Sequence, residues 1–425
     1  MVHAYPEDLA RLVYDRLVAE DNDVLPDLDV LSELLSVAYQ ASLLREEERP
    51  TTFRLVFAPR GRFTDDGGPP MKLHRLLFAE GRPFTADELR RLSQAAKFQR
   101  SLIGVGRREG RLEAWGILHS GPAWLRAIQG GRGVTPEAPA VLTIAVAGPG
   151  RLTVGYGGKT FAQLAGGRIS QKTQDIFASQ WLPGMFSAVR SEVTALHAKE
   201  HEDSWSQVDP DIIRMIGQHF VRRIVATIRV ARHGGTLLFL PANHAEEIAS
   251  GPHVKMKVRF VDAEPRRRFR SLMLSAMRAL AAQGDPVRRN DTVGWDTYNR
   301  TRDESIANVD EAIFELSHLI AGLADVDGAV VLTTRFEILG FGAELAGELP
   351  EISHVARATD LEGTHIDIER ADGVGTRHRS MYRMAARYPE LLGIVVSQDG
   401  GVRFVKRHGP HVTYWDQGAT GSLDI

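Results

Sequence analysis

Two short stretches near the end of the chain carry side chains whose types and spacing could do phosphate chemistry. Gly375-Thr376-Arg377-His378-Arg379 sets a flexible glycine, a hydroxyl, two guanidinium groups and an imidazole side by side, directly before a helical pattern over Ser380–Tyr388. A helix start offers backbone N–H groups and the positive end of the helix dipole, and Arg makes bidentate contacts to phosphate. From Ala371 to Pro410 seven Lys and Arg outnumber three acids, a net +4 in a chain whose formal charge is −2. That local excess favours an anion cradle over the alternative, a solvated basic stripe of Arg379, Arg383 and Arg387.

Asp327-Gly328-Ala329 stands at the front of a short apolar run, Ala329–Leu332. A carboxylate followed by two minimal side chains leaves room for a ligand against the backbone, and the Asp could hold a hard cation or accept a proton. Taken alone, the plainer reading is an Asp-Gly turn leading into a strand. Ser397-Gln398-Asp399-Gly400 closes the run Leu391–Val396 at its carboxyl end, where ligands of open α/β sheets bind. Ser397 and Asp399 there could meet phosphate and metal, or simply form a type I turn.

Other candidates carry less. Thr153 to Thr160 imitates a Walker A loop but has Thr153 where the first glycine belongs, and it lies between strand-like segments. Arg266-Arg267-Arg268 has no interleaved aromatics and reads as a solvated helix start, not a nucleic-acid site. His408 and His411 lack a third ligand for a metal.

The elements that must position these motifs follow from periodicity. Leu9, Leu12, Val13 and Leu17, then Leu31, Leu34, Leu35 and Ala38, predict two amphipathic helices. Strand-like runs follow at Thr52–Phe57, Leu73–Phe78, Ser101–Val105, Leu112–Leu118, Ala140–Val146 and Arg151–Tyr156, with a capping box at Thr85 to Glu88 starting a helix through Phe98. Beyond a polar segment at His197–Asp209, a long helix runs from Asp211 to Arg232 and stops at His233-Gly234-Gly235, ahead of a buried strand at Thr236–Leu240. Two more helices are expected, Phe269–Ala282 and Ile306–Leu323. Glu344–Asp372 holds eight acids against two arginines and reads as an exposed connection or flap. The expected organisation is an N-terminal α+β domain over 1–200 and a C-terminal α/β domain over 206–425 with a mixed sheet flanked by helices.

Composition bounds the rest. With 425 residues, 43% hydrophobic and 25% charged, the chain can bury a core in more than one domain. Lys and Arg number 52 against 54 Asp and Glu, so no global basic field exists for a polyanion, and DNA is not expected as a partner. The absence of cysteine excludes disulfides, thiolate zinc sites, iron–sulfur clusters and a cysteine nucleophile. The longest apolar stretch, Ala138–Gly148, is about half of the ~20 residues that span a bilayer. No membrane association and a cytoplasmic location are therefore expected.

In order, Asp327-Gly-Ala, Gly375-Thr-Arg-His-Arg and a strand ending in Ser397 resemble the diadenylate cyclase family, whose hallmark motifs are DGA and GTRHR. Ala231-Arg-His-Gly-Gly-Thr-Leu-Leu-Phe-Leu240 looks like that family's helix-to-strand passage, so the resemblance covers Asp211 to about Asp416. It implies condensation of two ATP into the second messenger cyclic di-AMP, with release of two pyrophosphates and use of Mg²⁺ or Mn²⁺. It also implies self-association, with two domains face to face so that each 3′-hydroxyl meets the other nucleotide's α-phosphate. Carried over by motif position, Asp327 would hold the metal and help activate the 3′-hydroxyl, with Gly328 and Ala329 lining the nucleoside. Gly375, Thr376, Arg377, His378 and Arg379 would hold the phosphates, with Ser397 and Gln398 near them. Where the family commonly has Ser-Glu-Glu, this chain has Ser397-Gln398-Asp399, and Asp399 would supply the missing carboxylate to the metal. The N-terminal part is similar to the sensor-type domains of some members, and its ligand cannot be read from its residues. Gln398 and the long acidic connection motivate the alternative, a catalytically silent sensor of ATP or a cyclic dinucleotide on the same fold.

Overall fold

The computed structural model describes residues 3–19, 26–63, 73–98, 100–119, 132, 140–157, 159–170, 175–200, 205–283, 292–398 and 400–417. The chain forms two compact units, the first running to Thr173 and the second, apart from a short insertion, from Gln174 to Gly418. Both are mixed α/β. Among the described residues no helix is long and apolar enough to cross a membrane.

The first unit packs α1 (Pro6–Ala19) and α2 (Leu28–Leu43) on a sheet. Of the predicted stripes, Leu9, Val13 and Leu17 on α1 and Leu31, Leu34, Leu35 and Ala38 on α2 are buried, while Leu12 is half-buried. Asp27 caps α2 by accepting the Val30 N–H at 2.8 Å. At α3 (Ala86–Ala95) only half of the expected capping box forms. Thr85 accepts the Glu88 N–H at 3.3 Å, but the Glu88 carboxylate takes Arg82 Nε at 2.8 Å instead of turning back to the cap.

The strands are β1 (Phe53–Phe57), β2 (His74–Pro83), β3 (Ser101–Arg108), β4 (Arg111–His119), β5 (Leu142–Gly148), β6 (Arg151–Tyr156), β7 (Lys159–Ala165) and β8 (Arg168–Ser170). Their order is β8-β7-β6-β5-β1-β3-β4-β2, and only β1–β3 is parallel. Thr153 lies within β6 and Lys159 opens β7, so the Walker-like stretch is a hairpin and lacks the helix start that such a loop requires.

The face away from α1 and α2 centres on Trp115, whose Nε1 donates to the Ala58 carbonyl at 2.9 Å. A Cβ on Gly104 would sit 2.3 Å from that indole. Gly104→Ala should therefore lower the stability of this unit by about 1–3 kcal/mol, because the added carbon overpacks a buried, hydrogen-bonded ring. A denaturant midpoint followed by tryptophan fluorescence checks this.

In the second unit α4 (Ser187–Lys199) and residues from Ile176 onward join the core: Ile176, Phe177, Leu182, Val189 and Val193 pack with α5 (Asp211–Ala231). The units therefore divide ahead of the 200–206 junction expected from the polar segment, because apolar residues preceding that segment bury themselves in the second core.

Its sheet comprises β9 (Gly235–Leu240), β10 (Val254–Arg259), β11 (Ala329–Thr333), β12 (Ile338–Leu345), β13 (His354–Ala358), β14 (Ile366–Arg370), β15 (Leu392–Val396), β16 (Val402–His408) and β17 (His411–Gln417). They run β10-β12-β11-β9-β15-β16-β17-β13-β14, with β9–β11 and β13–β17 parallel. Alternate residues of the central strands serve two cores, as pleating requires. Leu237, Phe239, Val330, Leu332 and Ile394 pack with α5, α6 (Glu264–Ala281) and α7 (Glu304–Leu323). Leu238, Val331 and Val395 pack on the opposite face with Met381 and Met384 of α8 (Thr376–Arg387).

The acidic stretch expected to be an exposed connection instead supplies the end of β12 and the antiparallel pair β13–β14. As an edge strand with no buried residue, β14 carries three charged residues in five, so composition hid the strand.

Candidate functional site

Register brings three backbone segments to one end of the second sheet. β9 runs parallel to β11 with Thr236 opposite Ala329, and antiparallel to β15 with Gly235 opposite Val396. The chain just before β9, just before β11 and just after β15 therefore meets at the same edge, which gathers His233-Gly234, Asp327-Gly328 and Ser397-Gln398.

The turn before β9 is formed by left-handed backbone. Arg232 ends α5 at φ 60 and Gly234 follows at φ 70. A Cβ on Gly234 would lie 2.7 Å from the Val396 carbonyl oxygen and 2.8 Å from Arg377 Nη1, so only glycine lets these groups converge. Arg377 Nη1 donates to the His233 carbonyl at 3.1 Å. The His233 ring in turn lies with Nε2 against Asp325 Oδ1, two residues before Asp327.

The turn before β11 is equally constrained. Gly328 has φ 120, and a Cβ there would stand 2.4 Å from the Gly342 carbonyl carbon and 2.7 Å from Ala343 N. Lys257 Nζ, from β10, donates to the Asp327 carbonyl at 3.0 Å. The backbone of Asp327 is thus held while the residue itself remains exposed. Ala329 is buried and packs in the cluster on the α8 face.

The sequence pattern placed the GTRHR residues ahead of a helix starting at Ser380. In the structure they are its first turn: α8 begins at Thr376, with Gly375 as an extended N-cap that no side chain caps. The N–H groups of His378 and Arg379 donate to the Gly375 carbonyl. Thr376 and Arg379 are exposed, whereas Arg377 and His378 are half-buried. Of the motif's basic groups, Arg377 is fixed on the β9 turn, and His378 points along the helix toward Tyr382, 6.4 Å between ring centres.

Ser397 sits in the β15–β16 turn, with its Oγ 3.1 Å and its N–H 2.8 Å from the Gly401 carbonyl. Gln398 is exposed beside the β9 turn. Asp399 lies outside the described residues.

Among the described residues no three His, Asp or Glu side chains gather into a cation cage. Mg²⁺ needs none, since it commonly takes one or two carboxylates and completes its shell with water and substrate phosphate. The exposed Asp327 offers one such carboxylate and fits that donor set.

Behind α8 a polar network reaches across the sheet. Tyr382 accepts from Arg403 Nη1 at 3.1 Å, Arg403 Nε donates to Asp416 at 3.0 Å, and the Tyr414 hydroxyl donates to Glu369 at 2.6 Å. Burial pushes the Tyr382 hydroxyl above the usual tyrosine range, and burial together with the Glu369 hydrogen bond raises Tyr414 further. Both folded-state pKa values lie above the unfolded value of about 10, so the folded state holds protons that the unfolded chain releases. This stability is fully present below about pH 10 and is lost as pH rises beyond it. Denaturant midpoints of the chain measured from neutral to alkaline pH should fall above that point, and Tyr414→Phe should flatten the fall.

Sequence reasoning missed His233 and Asp325 as partners, Lys257 altogether, and Gly234 as more than a helix stop. Two adjacent glycines after a histidine were the available signal; which groups would close on them required the strand order.

A family model described as "Probable sensor domain DACNV" matches residues 20–119, from α2 to the end of β4 in the first unit. No curated protein and no solved structure matches the chain.

Proposed function

We propose that the second unit is a diadenylate cyclase whose output the first unit adjusts. The observation that carries this reading is the convergence, at one sheet end, of an exposed carboxylate on a glycine-clamped turn with a basic, uncapped helix start. The match of residues 20–119 to a probable sensor domain is consistent with regulation.

In this reading the first turn of α8 and the Arg377 and Arg379 guanidinium groups bind the triphosphate of ATP and offset charge on the departing pyrophosphate. Arg377, already anchored to the His233 carbonyl, enters the reaction with its orientation set. Asp327 would hold Mg²⁺ or Mn²⁺, and the ion would lower the cost of negative charge on the phosphates when bound. The Asp327 carboxylate also orients a 3′-hydroxyl and accepts its proton as O3′ bonds to the α-phosphorus and pyrophosphate leaves. Two such transfers close the ring, and each needs the nucleotide of a second copy facing the first.

The test is pyrophosphate release from ATP as a function of chain concentration. Specific activity that rises with concentration and then levels off supports paired domains; release independent of concentration contradicts pairing. Gln398, where a carboxylate would add charge near a cation, favours one other reading, a silent nucleotide sensor. Saturable ATP binding without pyrophosphate release in Mg²⁺, Mn²⁺ or Co²⁺ would select it.

A further inference from the structure

We infer that His233 is a positioning residue that couples Arg377 to the turn bearing Asp327, an inference that rests on the site proposed above. His233 makes three contacts: its ring Nδ1 lies 2.5 Å from the Gly234 carbonyl oxygen, and two others point in opposite directions. Its carbonyl accepts Arg377 Nη1 at 3.1 Å, and its ring Nε2 lies against Asp325 Oδ1. Asp325 and Asp327 belong to one short turn between α7 and β11, so the imidazole links the cation-binding turn to the phosphate-binding arginine.

The surroundings leave His233 little freedom. Arg232 before it and Gly234 after it both have left-handed backbone. The Gly234 position is closed in by the Val396 carbonyl, Arg377 Nη1 and the Gln398 N–H, at 2.7, 2.8 and 3.2 Å from where a Cβ would be. A displacement of the ring thus moves the carbonyl that holds Arg377. On the other side Lys257 of β10 donates to the Asp327 carbonyl, so the turn is held from two sides.

The pair is not a stability device. His233 is 31% and Asp325 55% exposed at the side chain, and exposed pairs contribute little to folding. Positioning of reacting groups is far more sensitive, since a misplacement of about 1 Å can cost on the order of a hundredfold in rate. Loss of the pair should therefore appear in turnover and not in the denaturation midpoint.

The experiment uses the full chain with His233→Ala, His233→Gln, Asp325→Ala and the double variant His233→Ala/Asp325→Ala. Turnover and the Michaelis constant for ATP are measured together with the Arg377 Nε–H resonance by NMR. Each alanine variant should lower turnover about tenfold to a hundredfold with little change in the Michaelis constant. The double variant should be no slower than the slower single one, and His233→Gln, whose amide N–H can be turned toward the Asp325 carboxylate, should recover most of the rate. Asp325→Ala should shift the Arg377 resonance in the parent chain and leave it unmoved when residue 233 is alanine. Additive rate losses, or an Arg377 resonance indifferent to Asp325, would overturn the inference. A chain without turnover in which Asp325→Ala still moves Arg377 only through His233 would refute the cyclase reading and leave the coupling standing.

Discussion

Asp327→Asn is expected to fold normally and to lose product formation by about 10²–10³-fold or more, the range seen when one fixed charge-stabilising group leaves a transition state. The side chain is exposed, so no packing is lost, and the asparagine amide keeps the size of the carboxylate while removing the charge that a divalent cation requires. Arg377→Ala should be at least as damaging. It removes a phosphate ligand and also empties the contact with the His233 carbonyl on which the β9 turn closes. For Arg377→Ala the Michaelis constant for ATP should rise as turnover falls, whereas for Asp327→Asn the loss should fall mainly on turnover. Steady-state pyrophosphate release over a range of ATP and Mn²⁺ concentrations separates the two. Full activity in both variants would remove Asp327 and Arg377 from the mechanism.

Gly328→Val should unfold or severely weaken the second unit, by about 2–5 kcal/mol, the sum of left-handed strain in a β-branched residue and overpacking against backbone. The backbone of Gly342 and Ala343, within 2.4–2.7 Å of the new Cβ, belongs to β12 and cannot step aside without breaking the β11–β12 pairing. Gly375→Ala provides the contrast. Its φ of −64 suits any residue, and nothing lies within 4 Å of the added carbon. Stability should stay within about 0.5 kcal/mol of the parent, and any loss of ATP affinity would then report contact between that cap and the nucleotide. Urea midpoints for the two variants, with ATP titrations of Gly375→Ala, decide both points.

The elements that carry a strong apolar period were legible. The stripes of α1, α2 and α5 and the buried runs of β9, β11 and β15 appear where spacing places them, because burial on a face imposes a period that survives in composition. The strands at the rim were not. β14 alternates Ile366, Ile368 and charged residues on an edge, and β10 carries Lys255, Lys257 and Arg259. Their pairing is decided by neighbours distant in the chain, which local composition does not encode. The same limit applied at the site. The two motifs were visible as chemistry, but that Gly234 would be enclosed by Val396, Arg377 and Gln398 followed only from β9 lying between β11 and β15. The first turn of α8 also escaped, since Thr376-Arg377-His378-Arg379 lacks the Ser or Asp cap that announces a helix and starts from a bare glycine.

The most direct measurement is to incubate the chain with ATP and Mn²⁺, and then with Mg²⁺, and to resolve the products by liquid chromatography and mass spectrometry beside Asp327→Asn. Cyclic di-AMP formed with two pyrophosphates per molecule by the parent chain, and missing in Asp327→Asn, is the predicted result. Unchanged ATP under both metals despite saturable ATP binding, or the same product from Asp327→Asn, would contradict it.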